Sequence, residues 1–316
     1  MKKFCIILFL LSLHSIAKSQ TINKFYDLNW KETDAAHARF FSEVKKTDSG
    51  WHRADYFLHE ENNIQMDGTY LDSACKIANG IFYYFHYNKK ISMYGRYVNG
   101  KKEGLWLSYY KNGVMKDSST YKSGGKIGTS QSWYPNGNPK DSIVIGESLA
   151  TNVTWFDNGQ LSSAGRTNNK DKMVGVWQFY HINGKLASKE VYDIDGFLKT
   201  KNYYDESGNE VDTSRKNKAA EFPGGIKAWQ KYLGNKLYFP PNVQITNSDQ
   251  AAVMVEFVIN EEGKVEYANT VVPFYRIFND IAESVILRSP KWQPAIEHNR
   301  RVKFYFTQGV TFAQTE

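Results

Sequence analysis

The residue types that commonly carry out catalysis are present in this 316-residue chain, but they do not form catalytic patterns. Its seven histidines show no His-Glu-x-x-His spacing, and no Gly-x-Ser-x-Gly sequence occurs. Gly124-Gly125-Lys126 lacks the remainder of a phosphate-binding loop. His59-Glu60-Glu61 places one imidazole beside two carboxylates, an arrangement more typical of a solvated loop than of a metal site. We therefore predict that the protein is not an enzyme, with no catalytic, metal or cofactor-binding residues.

The acidic and basic residues indicate no nucleic-acid or small-molecule site. Glu261-Glu262 lies in a predicted turn, where we expect both carboxylates to be exposed to solvent. The formal net charge is +7, and removing Lys2, Lys3 and Lys18 of the predicted leader leaves about +4. This excess is spread along the chain, whereas a nucleic-acid-binding surface needs clustered lysine and arginine. We expect neither a nucleic-acid partner nor a small-molecule substrate.

The N-terminus has the pattern of a secretory signal. Lys2-Lys3 is followed by an apolar run from Phe4 to Leu13 and by the small-x-small site Ala17-Lys18-Ser19. The apolar run is shorter than the roughly 20 residues that a membrane-spanning helix needs. Residues 1–19 are thus predicted to be a cleaved signal peptide, and the mature protein to be periplasmic or secreted. An uncleaved signal, which would leave the protein attached to the membrane, is the alternative.

A repeat begins at about Trp51 and predicts the fold of the next 160 or so residues. Each unit has alternating aromatic residues and then an Asn-Gly or related turn, which predicts a β-hairpin with positive φ angles at the turn. A single hairpin is marginally stable, so we expect the units to stack and bury a continuous aromatic stripe. The turn glycines lie about two dozen positions apart, at Gly113, Gly137, Gly159, Gly184 and Gly208.

Two units carry this pattern most clearly, from Gly104 to Gly113 and from Gly175 to Gly184. Both fit Gly-x-Trp-x-x-Tyr-x-x-Asn-Gly or a close variant of it. The array resembles MORN-type repeats, in the form found in bacterial antitoxin-component repeat proteins. The resemblance covers residues 51–212 and implies an elongated array of β-hairpins that acts as a scaffold. We assign residues 20–212 to this repeat domain and the polar residues 213–221 to a linker.

Residues 222–316 follow a different pattern, which predicts helix, strand, strand, helix, strand. Helical spacing relates Ile226, Trp229 and Leu233. It also relates Ile277, Ile281 and Val285, with Phe278, Ala282 and Ile286 in the row beside them, so we expect this helix to lie on the sheet. A half-buried strand is predicted from alternating apolar residues between Val253 and Ile259. In the last strand we expect Val302, Phe304 and Phe306 to point inward and Lys303 and Tyr305 to point outward. The predicted fold class is therefore mainly β with α+β: an elongated hairpin array followed by a small α+β domain.

This order of elements and its residues resemble the TonB C-terminal domain. The matching features are a Tyr-Pro segment, a Val-x-Val-x-Phe-x-Ile strand, an acidic-Gly turn and a Trp-x-Pro-Ala step. Ala252 and Asn299 stand where glycines are common in the family. The matches lie at Phe222-Pro223-Gly224-Gly225, at Tyr238 and Pro240 with Phe239 inserted, at Val253 to Ile259, at Glu262-Gly263, and at Trp292, Pro294 and Ala295.

The resemblance implies a binding mode. The family's domain captures a short segment of an outer-membrane TonB-dependent receptor by adding it as a strand to a sheet edge, in energy-coupled transport across the membrane. A family energy transducer also carries a membrane helix and a Pro-rich spacer, and the repeats occupy the place of both here. The resemblance implies the following partner-binding residues at the last strand and beside it: Arg301, Val302, Lys303, Phe304, Tyr305, Phe306, Thr307, Tyr238, Phe239 and Pro240.

Two functional interpretations follow. In the first, the protein is a periplasmic TonB-like protein that binds receptor segments by strand addition. In the second, it is a non-enzymatic scaffold of the cell envelope, and the face of its MORN-like repeats binds envelope proteins. A structural alternative remains for the residues of the last strand, which could simply close a small α+β core.

Overall fold

The computed structural model describes residues 21–58, 63–212, 216–245 and 250–314. The predicted signal peptide at residues 1–19, the segment 59–61 and part of the predicted linker lie outside the described residues. Within the described ranges there are two helices of 12 residues each, and neither is long and apolar enough to cross a membrane.

Most of the described chain forms one long antiparallel sheet of seventeen strands. From β3 to β17 each strand pairs with the next, and β1 pairs with both β2 and β3. The predicted hairpin array is therefore confirmed as a continuous meander. Its strands are β1 Thr21–Tyr26, β2 Glu32–Thr33, β3 Phe40–Thr47, β4 Gly50–Phe57, β5 Asn63–Tyr70, β6 Gly80–Phe85, β7 Ile91–Val98, β8 Lys101–Tyr109, β9 Met115–Lys122, β10 Gly125–Trp133, β11 Pro139–Ile145, β12 Leu149–Trp155, β13 Leu161–Asn168, β14 Met173–Tyr180, β15 Leu186–Tyr192, β16 Leu198–Tyr204 and β17 Glu210–Val211.

The turns differ from the predicted Asn-Gly geometry. In the turn after β8, the Tyr110 amide donates to Val114 O at 2.8 Å, and the Gly113 amide donates to Tyr110 O at 2.8 Å. Gly113 has φ +95°, whereas Asn112 does not adopt a positive φ. This is a three-residue loop with a glycine bulge, and the pairing register shifts beside it between Ser108 and Tyr109. Only the glycine therefore needs the left-handed conformation.

The asparagine of each turn has another role. Asn112 Oδ1 accepts a hydrogen bond from the Val114 amide at 3.0 Å, and its Nδ2 donates to Pro135 O in the next turn at 3.0 Å. The same bond to the following turn is made by Asn136, Asn158 and Asn183. This ladder of side-chain amides links each hairpin to its neighbour, which gives the spacing of about two dozen residues a physical reason.

The aromatic core of the sheet relies on glycines inside the strands. A Cβ placed on Gly95 would lie 2.2 Å from the Trp106 ring, and one on Gly165 would lie 2.1 Å from the Trp177 ring. The indole of Trp177 then donates to Arg166 O at 2.8 Å. The ring of each tryptophan thus lies directly over the backbone of the preceding strand, and any residue larger than glycine at that point would collide with the ring.

The rest of the described chain forms a second, smaller unit. A three-stranded antiparallel sheet has the order β19-β18-β22, and a separate short hairpin joins β20 and β21. The predicted order of helix, strand, strand, helix, strand is found, with this hairpin inserted before the last strand. The elements are α1 Gly225–Lys236, β18 Gln250–Ile259, β19 Val265–Val272, α2 Arg276–Leu287, β20 Ala295–Glu297, β21 Arg300–Val302 and β22 Phe304–Ala313.

The core of the C-terminal unit is built mainly from the predicted apolar residues. Val253, Val255, Phe257 and Ile259 of β18 are buried, which confirms the predicted alternation. Of the residues in the predicted helical rows, Ile226 and Ile277 lie outside the core, with 67% and 43% of their surface exposed. In α2 the buried residues are Ile281 of the first predicted row, Phe278, Ala282 and Ile286 of the predicted row beside it, and Asn279.

The described part of the segment predicted as a linker belongs to this unit. Lys218 exchanges backbone hydrogen bonds with Ile296 at 2.9 Å in both directions, and Glu221 does so with Gln293 at 2.8 and 3.0 Å. Ala220 between them is buried in the core cluster. Residues 218–221 therefore run beside β20 as part of the folded unit.

Candidate partner-binding site

The last strand, β22, has one paired side and one open side. It pairs with β18 over ten residues, from Gln250 opposite Ala313 to Ile259 opposite Phe304. No other strand among the described residues pairs with β22. An unpaired edge of this kind presents backbone donors and acceptors to which an extended segment can add.

The direction of the β22 amides follows from its neighbours. Thr270 on β19 lies opposite Val255 and donates its amide outward, to Glu283 Oε1 at 2.7 Å. The Val255 amide must then point away from β19 and toward β22, since amide directions alternate along a strand. The amides of the β22 residues opposite Val255, Phe257 and Ile259, which are Gln308, Phe306 and Phe304, therefore point toward β18. The amides in between, at Tyr305, Thr307, Gly309, Thr311 and Ala313, face the open edge.

Part of the predicted partner-binding stretch does not lie on this edge. Arg301 and Val302 belong to β21, where they pair with Ile296 and Ala295. The short β20–β21 hairpin was not predicted from the sequence, because strands of only three residues are too short to show a periodic pattern. The open edge therefore begins at Phe304.

Lys303 lies between β21 and β22, and its side chain is only 6% exposed. Its Nζ donates to Asp157 Oδ2 of the repeat sheet at 2.7 Å and also to Glu266 of β19. Lys303 thus points away from the core of its own unit, as expected, but the repeat sheet covers it. Burial acts to lower the pKa of Lys303, but the two carboxylates outweigh it and the pKa is raised.

The remaining predicted residues of β22 divide by face. Phe304 and Phe306 pack on the core, and Phe306 stacks on Phe257 with ring centroids 5.1 Å apart, as predicted for inward positions. Tyr305 is 53% exposed and Thr307 is exposed. The Lys140 ammonium of the repeat sheet lies 4.6 Å from the Tyr305 ring centroid. The first residues of β22 thus lie close to the repeats.

The predicted Tyr-Pro segment lies elsewhere in the unit. Tyr238 is 60% exposed, Pro240 is buried, and the ring of Phe239 lies 5.3 Å from that of Phe278. Phe278 in turn packs against Phe312 at 5.0 Å. The segment therefore lies toward the far end of β22, away from residues 301–307.

The turn of the β20–β21 hairpin is an attachment to the repeat sheet that sequence reasoning missed. Asn299 Nδ2 donates to Ala187 O at 3.1 Å and to Tyr204 O at 2.9 Å. Arg300 is buried, donates to Ser162 Oγ, and has its pKa lowered to about 10 by burial. His298 and Asn299 have φ values of 48° and 64°. The asparagine at position 299 was the available signal in the sequence, because asparagine tolerates the left-handed conformation.

Glu261 also departs from expectation. It lies in the turn between β18 and β19 but is only 4% exposed, whereas Glu262 is exposed as predicted. Burial raises the pKa of Glu261 to about 7. The turn faces the repeat sheet, so contact between the two units removes this carboxyl from water.

No model of a known protein family matches this chain, and no curated protein matches it either. In the ranges that the structure describes, no group of three or more His, Cys, Asp and Glu side chains could hold a metal ion. The open edge of β22 is therefore the candidate site with the strongest geometric support.

Proposed function

We propose that this protein binds an extended segment of a partner protein by adding it as a strand to β22. The observation that supports this is the open edge, where five amides point away from β18 and meet no described strand. In this kind of recognition the affinity comes from main-chain hydrogen bonds, and few specific side-chain contacts are needed. Lys140 of the repeat sheet lies against the Tyr305 ring at one end of β22, so we expect the added segment to pair chiefly with residues 307–313.

The partner we propose is a segment of an outer-membrane TonB-dependent receptor. The resemblance of residues 222–316 to the TonB C-terminal domain supports this, as does the secretory pattern at residues 1–19, which favours a periplasmic location. The MORN-like sheet then acts as a platform that holds the binding unit through Arg39, Lys303 and Asn299. The protein would serve as an adaptor in energy-coupled transport, without catalytic activity.

Calorimetric titration of the purified protein with synthetic peptides from the N-terminal segments of such receptors tests the proposal. Thr311→Pro removes an outward amide while leaving the inward amides of β22 in place, and proline is tolerated on an edge strand. We expect binding to weaken at least about tenfold in Thr311→Pro. Thr311→Ala, the matched control, keeps the amide and should bind normally. Absence of binding to every peptide, or equal binding by Thr311→Pro, would refute strand addition.

A second candidate function uses the outer face of the repeat sheet. Leu105, Thr120 and Ile127 lie in one row across β8, β9 and β10, and the two aliphatic side chains are 53% and 41% exposed. Such a row favours a scaffold that contacts an envelope partner. If the protein is such a scaffold, replacing Leu105 and Ile127 together by serine should prevent it from binding to isolated cell envelopes, while its binding of receptor peptides should not change. Under strand addition at β22, this double variant should still bind to envelopes, and Thr311→Pro should be the variant that loses binding.

A further inference from the structure

A cleft of about 580 Å³ lies between the C-terminal sheet and the repeat sheet. Its volume is within the roughly 300–1,000 Å³ that small-molecule sites occupy. One wall is the face of β18, β19 and β22 that looks away from the helices, with Tyr267 and Tyr305. The opposite wall belongs to the repeats, with Tyr87, Tyr110 and Tyr134. Tyrosine rings therefore line both sides.

The cleft is braced at both ends. At one end, Arg39 Nη2 of the repeat sheet donates to Ala252 O at 2.7 Å and also to Pro273 O. At the other, Lys303 bonds Asp157. Across the middle, the rings of Tyr110 and Tyr267 meet edge to face with centroids 6.5 Å apart. The two walls are thus held in place by contacts at several points along the cleft.

Two residues that line the cleft have a buried polar atom without a partner, Asn269 at Oδ1 and Thr270 at Oγ1, and only the Asn269 side chain is in the row that faces the cleft. Asn269 lies opposite Glu256 on β19, in the row that faces the cleft, since the alternate residues Val255 and Phe257 face the helices. Its side chain lines the cleft, the residue is 6% exposed, and Oδ1 accepts no hydrogen bond. A buried acceptor left without a donor destabilises the folded protein, because the group has lost its hydrogen bonds to water. A ligand that brings a hydroxyl or N–H donor to Asn269 removes that destabilisation.

The charges that line the cleft balance one another. Two lysines, Lys116 and Lys140, face two carboxylates, Glu256 and Glu266. Lys140 already lies against the Tyr305 ring, and Glu266 accepts from Lys303. Burial lowers the pKa of His86, which favours its neutral form. The lining therefore favours a neutral ligand over an anion or a cation.

We propose that this cleft binds a neutral carbohydrate of about one or two sugar rings. Sugar rings present apolar C–H faces that pack on tyrosine rings, together with hydroxyl groups that donate to an acceptor such as Asn269 Oδ1. Both walls are sheet faces, which present side chains and not backbone groups, so recognition here rests on side chains. A peptide bound through its main chain needs a sheet edge instead. The site lies on the face of the sheet and shares Tyr305 and Thr307 with the first part of the β22 edge, but it does not depend on the function proposed above.

Saturation-transfer NMR of the purified full chain with maltose, cellobiose and N,N′-diacetylchitobiose tests the proposal. We expect at least one disaccharide to bind in the millimolar range and Asn269→Ala to weaken binding about tenfold. Asn269→Ala removes the unpartnered acceptor, so its thermal stability should equal or exceed that of the parent chain. That second measurement separates lost binding from lost folding. Asn235→Ala, at an exposed position of α1, is the matched control and should bind normally.

Three results would overturn the proposal. One is that none of the three sugars binds, which would leave a cleft filled by water. Another is that Asn269→Ala binds the sugar as tightly as the parent chain does. The third is that Thr311→Pro, whose substitution lies outside the cleft lining, loses sugar binding together with peptide binding, because that would place both ligands at the β22 edge.

Discussion

The imidazole of His298 lies flat on the phenyl ring of Phe179, with ring centroids 3.7 Å apart and an angle of 3° between the planes. His298 is in the β20–β21 turn and Phe179 is in the repeat sheet, so the stack joins the two units. The His298 Nδ1 also lies 3.0 Å from Glu190 Oε2, in a largely buried pair. Burial acts to raise the pKa of Glu190, but hydrogen bonds from His298 and Tyr192 outweigh it and the pKa is lowered.

Replacing His298 by asparagine tests this attachment. Asparagine tolerates the left-handed backbone of the position but provides no ring, so the stack is lost. We expect the free energy of unfolding to fall by about 1–2 kcal/mol in urea titrations. His37→Asn, at an exposed turn, is the control and should leave stability unchanged. A double-mutant cycle with Phe179→Leu should show a coupling energy, and strict additivity would argue against the stack.

Arg39 secures the opposite end of the contact between the units. Its guanidinium donates to two backbone carbonyls, of Ala252 and Pro273, and lies 4.5 Å from the centroid of the Phe274 ring. Burial lowers its pKa to about 10. Arg39→Lys keeps the charge but loses the planar fork, so we expect unfolding to become easier by about 1–3 kcal/mol.

Hydrogen exchange locates the effect of Arg39→Lys. Amides around Pro273 should exchange faster, while those of the distant strands β14 and β15 should not change. Arg276→Lys is the matched control, since that side chain is 84% exposed. If both variants destabilise the protein equally, Arg39 has no special role in joining the units.

Glu261 should make the stability of the protein depend on pH. Its pKa is raised from 4.5 to about 7 by burial, so the folded protein favours the protonated carboxyl. The stability that this provides is present in full below pH 4.5 and is lost as the pH rises toward 7. The difference in pKa corresponds to roughly 3 kcal/mol.

Chemical unfolding at several pH values measures this effect. Glu261→Gln carries no titrating group, so its stability should fall less than that of the parent chain between pH 4.5 and 7. Glu262→Gln, one residue along at an exposed position, should retain the dependence of the parent. Identical pH profiles for the parent chain and Glu261→Gln would show that this carboxyl is not buried in solution.

The glycines beneath the tryptophan rings should be intolerant of any side chain. A Cβ on Gly165 would lie 2.1 Å from the Trp177 ring, so Gly165→Ala forces the ring out of its place. We expect a loss of about 1–3 kcal/mol in the free energy of unfolding. Gly234→Ala is the contrasting control, because nothing lies within 4 Å of its Cβ and the residue is in α1. That variant should be stabilised by roughly 0.5–1 kcal/mol.

A urea series at one temperature compares these two glycine variants directly. Because the chain has eight tryptophans, the local signal is the NMR resonance of the Trp177 indole N–H, which shifts if the ring moves. An unchanged midpoint for Gly165→Ala would mean that the sheet adjusts easily at this position, in conflict with the packing described above.

The sequence by itself determined the local elements. Alternating aromatics and regularly spaced turn glycines predict stacked hairpins, because strand periodicity and the left-handed conformation of glycine are properties of neighbouring residues. The buried positions of β18 followed from the same alternation. The turn type did not follow from the sequence pattern, because the bulge depends on the hydrogen bonds that Gly113 and Asn112 make to neighbouring residues.

Tertiary structure alone decided which residues the two units bury against each other. Glu261, Lys303 and His298 look like solvated surface residues in sequence, yet each is covered by strands more than 100 positions away in sequence. Their burial arises from contact between two sheets, and no periodicity within either sheet encodes it. The alternation of residues in β22 was enough to predict a strand there. Where the edge of that strand becomes accessible depended instead on how the repeats pack beside it.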